Sequence, residues 1–268
     1  MAVRIAGLTA PPLSLKYRKR VVGGVPVIVG TQRRRDPGSV VLHVHGGGYF
    51  MGTARAFLPM SARLAAAVPA NLVTVDYRLA PEHPYPAAID DVVAVYLSVL
   101  ETYPPDRIAM AGESAGGGAV LATLMRLRDE GHPLPACAYL MSPLTDLTAS
   151  GESIITKAEI DPIATVEMIY DGVPFYLGDT PSSDPGVSPL FGDLAGLPPM
   201  LIQVGTDEIL LSDSTRLADQ VSALGGEAEI EIYEHLFHGF QVSAGVIPEA
   251  NRAIGRGGDF IASRLSRT

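Results

Sequence analysis

Arg107-Ile108-Ala109-Met110-Ala111-Gly112-Glu113-Ser114-Ala115-Gly116-Gly117-Gly118-Ala119-Val120-Leu121 is the stretch from which the rest of the chain can be read. Its first part, 107–111, is a short apolar run that predicts a strand buried on both faces. Small residues follow at helical spacing, and a helix is expected over 115–129. Between them stands a serine flanked by glycines. A strand that turns sharply into a helix presents such a serine at the top of a sheet, and Gly112 and Gly116 fall where crowding backbone leaves no room for a Cβ. The five-residue pattern alone occurs often by chance; its position between strand and helix gives it weight.

Working outward, strand and helix alternate. Strands are expected over 39–45, 71–77, 136–141, 200–205 and 229–233, with helices over 54–68, 87–102, 213–224 and 248–265. A hairpin over 21–29, turning at Gly23-Gly24, precedes them. Alternation of this kind predicts an α/β protein with a mostly parallel central sheet flanked by helices. The segment of about 148–193 breaks the rhythm. Rich in Pro, Gly, Ser and Asp, with one helical stretch near 163–170, it reads as an insertion over the carboxyl edge of the sheet, where ligands bind. The 268 residues fit one domain (1–268) with an N-terminal arm (1–37) and this cap or lid.

Composition narrows the function. A formal charge of −9, without long basic runs, argues against nucleic acid and against stable membrane association. Cys137 is the single cysteine, which excludes an intrachain disulfide and argues against a Cys-based metal site. Residues 1–20 lack an apolar stretch suited to a signal peptide or membrane helix, so a soluble cytoplasmic protein is expected.

Acyl transfer by serine needs an activated hydroxyl, a base and donors for a negative oxygen. Ser114 supplies the hydroxyl. His45-Gly46-Gly47-Gly48, at a strand end, can bring backbone N–H groups close to an oxygen, and the N–H of Ala115 adds a donor at a helix N-terminus. Of six histidines, His238 follows the last strand and precedes Gly239, in a loop at the correct sheet edge; His235 is the competitor. The acid is expected after a strand between serine and histidine. Thr206-Asp207-Glu208 follows the strand 200–205, and Asp207 is the choice. Glu208 reads as a solvated loop residue and Asp213 as a helix N-terminal residue.

Five motifs in order, His45-Gly46-Gly47-Gly48-Tyr49, Asp76-Tyr77-Arg78-Leu79-Ala80-Pro81-Glu82, Gly112-Glu113-Ser114-Ala115-Gly116-Gly117, Asp207-Glu208-Ile209-Leu210-Leu211 and His238-Gly239-Phe240, resemble the bacterial esterases of the hormone-sensitive-lipase-like family, within the α/β-hydrolase superfamily. The resemblance implies Ser114, Asp207 and His238 as a triad, and the N–H groups of Gly47, Gly48 and Ala115 as the oxyanion hole. It also implies a carboxylesterase acting on short-chain acyl esters without cofactor or metal, and gives Arg78 and Glu82 a part in ordering the loops beneath the site. Many members of the family are homodimers through their last strands; here that strand would be 229–233. Two features depart from the family: Glu113 stands where Asp is usual, and only 44 residues precede His45, which implies a shortened N-terminal cap and a more open pocket. The pocket walls are expected from the insertion and the N-terminal arm. A lactone hydrolase needs the same groups. A non-catalytic scaffold similar to the plant gibberellin receptors would lack a usable histidine.

Overall fold

Val40–Val44 and Asn71–Val75 are buried at every residue, which only the interior of a sheet covered on both faces allows. In the computed structural model, which describes residues 9–34 and 37–265, these are β3 and β4 of an eight-stranded sheet. The other strands are β1 (Leu15–Val22), β2 (Val25–Gln32), β5 (Ile108–Glu113), β6 (Cys137–Met141), β7 (Met200–Gly205) and β8 (Ala228–Tyr233). Their order is β1-β2-β4-β3-β5-β6-β7-β8; β3 to β8 run parallel, and the β1–β2 hairpin joins β4 antiparallel.

Side chains alternate between two cores, as the period of two requires. Val41, Ala109, Ala111, Tyr139 and Leu201 face α1 (Ala54–Ala67) and α7 (Pro248–Arg264). Leu42, Val44, Met110, Leu140 and Ile202 face α2 (Ala87–Leu100), α3 (Ala115–Asp129) and α6 (Leu211–Ala223). The α/β-hydrolase architecture expected from the sequence is therefore present, with strand β8 ending the sheet.

Three boundaries move for local reasons. The hairpin is longer than 21–29 and pairs from Leu15 opposite Gln32 to Val22 opposite Val25. The strand expected over 71–77 stops at Val75. Asp76 turns away to accept the Ala54 N–H (2.8 Å) at the start of α1, and the Tyr77 hydroxyl donates to the His45 carbonyl (2.9 Å). In the insertion, the helical stretch near 163–170 begins later. The Asp161 carboxylate accepts the N–H groups of Ile163 (2.9 Å) and Ala164 (3.1 Å), holding them in a turn, and a wide turn at Met168–Gly172 then leads into α5 (Val173–Leu177). A further short helix, α4 (Ser153–Thr156), opens the insertion.

The described part of the N-terminal arm takes a different place from the one expected. Its hairpin lies at the far edge of the sheet, and no described residue before Gly46 lines the cleft at the sheet's carboxyl edge. The parts of the arm at 1–8 and 35–36 lie outside the described residues. No helix among the described residues is long and apolar enough to cross a membrane.

Candidate active site

Ser114 sits where β5 becomes α3, at φ 54°, ψ −126°. A serine in that region carries backbone strain of roughly 1–3 kcal/mol, which the surroundings must hold in place. They do so from both sides: its N–H donates to the Met141 carbonyl (2.9 Å), and its carbonyl accepts the Leu144 N–H (3.0 Å). The glycines are needed as the sequence suggested. A Cβ on Gly116 would lie 2.1 Å from the Val44 carbonyl oxygen, and one on Gly112 would lie 2.3 Å from that of Gly116.

His238, in the loop after β8, reaches this serine, with its Nε2 2.9 Å from the Ser114 Oγ. His235 points elsewhere: its side chain is 88% exposed, with its Nδ1 3.6 Å from the Asp207 carboxylate.

The carboxylate beside His238 differs from the expectation. Asp207 does not meet His238; its carboxylate accepts the Thr206 hydroxyl (2.9 Å) and faces His235. The carboxylate beside His238 Nδ1 is that of Glu208, at 3.3 Å. Consecutive residues of a turn point in different directions, and here the Asp207 N–H is engaged by the Leu236 carbonyl (3.0 Å), while Glu208 turns inward and is fully buried. Its other oxygen accepts the Gly205 N–H and the Ser142 hydroxyl, both at 2.8 Å. Ser142 Oγ in turn accepts the Gly239 N–H (3.2 Å), so one hydroxyl braces the loops carrying Glu208 and His238. The signal available in the sequence was the apolar pair Ile209-Leu210 directly after Glu208, both buried, which marks the turn as an interior one. Asp213, the other alternative, is buried in the first turn of α6, accepting the N–H groups of Thr145 (2.7 Å) and Asp146 (2.9 Å), away from the histidine.

Burial alone pulls the His238 imidazole toward lower pKa. The hydrogen bond and charge of Glu208, helped by the charges of Asp161 and Glu113, outweigh it, and the pKa lies above the ordinary value of 6.5. A histidine that must be neutral to accept a proton is active only above its pKa. The acid limb of kcat/KM is therefore expected at a pH above 6.5; a limb below 6, or a flat profile from pH 5 to 8, would contradict the assignment of the base.

Gly47 and Gly48 line the same cleft as Ser114 and His238, and Ala115 opens α3 immediately behind the serine. The cleft encloses about 910 Å³ including its open mouth, and its walls are largely apolar. Phe50, Met51, Phe57, Phe237 and Val242 contribute from the body of the protein. Ile163, Met168, Ile169 and Val173 come from the segment after β6, whose 163–173 part lines the cleft. Arg78 orders the segment after β4 through paired hydrogen bonds to Asp91 (2.7 and 3.0 Å), whereas Glu82 is exposed. Among the described residues, no group of three or more His, Cys, Asp or Glu side chains stands in a metal-binding arrangement.

Comparison with known proteins agrees with this fold. A family model described as alpha/beta hydrolase fold matches residues 41–242. An esterase of Acinetobacter venetianus is 37% identical over 226 residues, covering 84% of this chain and 75% of its own. An acetyl-hydrolase of Streptomyces hygroscopicus is 38% identical over 228 residues, covering 85% and 76%. The crystal structure of an esterase from the bacterial hormone-sensitive lipase family superposes with a TM-score of 0.95 at 38% identity, covering 98% of this chain and 89% of that one.

Proposed function

The chain belongs to the α/β-hydrolase family, on its hormone-sensitive-lipase-like branch, and from that premise we propose that it is a carboxylic ester hydrolase working through Ser114, His238 and Glu208. The observation that carries the proposal is the hydrogen-bonded chain from Ser114 Oγ through His238 to Glu208, opening into an apolar cleft.

In this reading Ser114 attacks the ester carbonyl while His238 Nε2 takes the hydroxyl proton. Glu208 accepts the Nδ1–H, fixes the tautomer and stabilises the imidazolium. The negative oxygen of the tetrahedral intermediate is received by the N–H groups of Gly47, Gly48 and Ala115, the last aided by the dipole of α3. His238 then protonates the departing alcohol, and water, activated by the same histidine, releases the acid from the acyl-enzyme.

The cleft supports a neutral, apolar acyl group. Among the described residues no Lys or Arg lines it, so a second carboxylate on the substrate would be desolvated without a partner. The helical pieces of the insertion are short, α5 being five residues, which favours short acyl chains over a lipase-like lid. The test is hydrolysis of p-nitrophenyl esters from acetate to palmitate by wild type and Ser114→Ala. Activity is expected to be highest from acetate to hexanoate and absent in the variant. A maximum at palmitate would refute the short-chain assignment, and turnover surviving in Ser114→Ala would refute the nucleophile.

A further inference from the structure

Glu113 is a buried carboxylate directly before the proposed nucleophile, and beyond the distant pull of its charge on His238 the chemistry described so far gives it no part. Its partners lie on neighbouring strands. Oε1 accepts the N–H of Gly46 at 2.6 Å, and Oε2 lies 2.7 Å from Nε2 of His43, in the middle of β3. His43 Nδ1 is 3.0 Å from the hydroxyl of Thr74, its register partner on β4. All three side chains are buried. A neutral imidazole with its proton on Nε2 satisfies the whole set: it donates to Glu113 and accepts from Thr74. An apolar residue would fill the same space without the desolvation that a carboxylate and an imidazole incur, so packing alone does not account for the group.

What the carboxylate holds is the first residue of the glycine run. Gly47 (φ 115°) and Gly48 (φ 63°) have no side chains through which neighbours could fix their torsions. The run is instead fixed through its backbone: the Gly47 carbonyl accepts the N–H groups of Phe50 (3.2 Å) and Met51 (2.9 Å), and both ends are held as well. At the far end, the Ala80 N–H donates to the Tyr49 carbonyl (3.0 Å), and the Tyr49 ring stacks on Tyr176 of α5 at 3.8 Å. At the near end stands the Glu113 carboxylate on Gly46. Because Glu113 and Ser114 are consecutive, that bond ties the glycine run to the serine turn itself.

We propose that Glu113, held by His43 and Thr74, is a positioning residue that clamps Gly46 and so sets the Gly47 and Gly48 N–H groups at their working distance from Ser114 Oγ. The proposal rests on the reading of Ser114 as nucleophile and of the glycine run as oxyanion hole. Both acylation and deacylation pass through an oxyanion, so a slack clamp lowers kcat and leaves KM nearly unchanged.

The experiment compares Glu113→Gln with Glu113→Leu on a short p-nitrophenyl ester, with kcat read on the plateau above the acid limb so that lost charge near His238 does not enter. Both variants remove the charge, but only glutamine keeps an acceptor for the Gly46 N–H, its amide donating to His43 in the other tautomer. Glu113→Gln is expected to keep kcat within about tenfold of wild type. Glu113→Leu is expected to lose about a hundredfold or more, the scale of a lost oxyanion donor, with KM within threefold. A trifluoromethyl ketone, which binds as an oxyanion, should lose affinity in Glu113→Leu by a comparable factor. Equal losses in the two variants, a loss appearing in KM, or a Glu113→Leu protein with wild-type kcat would each overturn the proposal. Should Glu113→Leu fail to fold by circular dichroism, His43→Leu, which leaves the carboxylate in place but unheld, is expected to lower kcat about tenfold at constant KM; an unchanged kcat there would overturn the proposal equally. An active wild type with an inactive Ser114→Ala separates these outcomes from failure of the underlying functional reading.

Discussion

Ser114→Ala and His238→Ala are each expected to lower kcat/KM by about a millionfold, the scale seen when either member of such a pair is removed in another serine hydrolase. Among the described residues the Ser114 hydroxyl has one proton acceptor in reach, His238 Nε2 at 2.9 Å, and without it the oxygen must attack as a neutral hydroxyl. The losses should not add. The double variant is expected to match the single ones, because each already abolishes the concerted attack, leaving what binding and the oxyanion donors supply. His235→Ala provides the contrast: its exposed ring stands against Asp207 on the surface, and activity within twofold of wild type is expected. A severe loss in His235→Ala with activity retained in His238→Ala would reverse the assignment of the base.

The second large effect separates two adjacent carboxylates. Glu208→Gln is expected to lower kcat by about ten-thousandfold, since an amide cannot stabilise the imidazolium and can hold the ring in the wrong tautomer. Its pH profile should also move. With the Glu208 charge gone, burial dominates the His238 equilibrium, so the residual activity should show its acid limb at lower pH than wild type. Glu208→Ala should be worse for stability too. It strands the buried Gly205 N–H and Ser142 hydroxyl, at about 1–3 kcal/mol for each unsatisfied group, visible as a lowered Tm. Asp207→Asn changes a half-exposed side chain bonded to Thr206 and is expected to leave kcat and its pH profile nearly unchanged. A large loss in Asp207→Asn with a mild effect in Glu208→Gln would restore Asp207 as the acid.

That pair also marks how far the sequence could be read. Strands buried on both faces announce themselves as apolar runs, and Val40–Val44, Ile108–Glu113 and Met200–Gly205 were legible for that reason. Ser114 and His238 were legible because a strand-to-helix elbow and a glycine-followed loop leave local marks. The choice between Asp207 and Glu208 leaves none of comparable strength. Both lie in one turn at the correct edge, and which enters the interior depends on torsions set by partners distant in sequence, Leu236 and Ser142 among them. Ser142 itself belongs to no motif; its bracing role exists only once β6 stands beside β7. The described part of the N-terminal arm was misplaced for a similar reason: a hairpin's turn can be read locally, but the sheet edge it joins cannot.

Asp161 carries a consequence for engineering. Besides shaping the start of the cleft wall through Ile163 and Ala164, its second oxygen accepts the N–H of Ile209 (3.0 Å), the residue after Glu208. The insertion looks like a replaceable cassette, entering after β6 and returning before β7, and swapping it is an obvious route to new substrate preference. The cassette is nonetheless wired into the machinery beneath it. A transplanted cap without a carboxylate at this point would leave a buried amide beside Glu208 with no acceptor, and would spoil the enzyme it was meant to redirect. Chimeras should therefore be cut so that Asp161 stays with the host scaffold, and specificity varied downstream of it, from Ile163 to Val173.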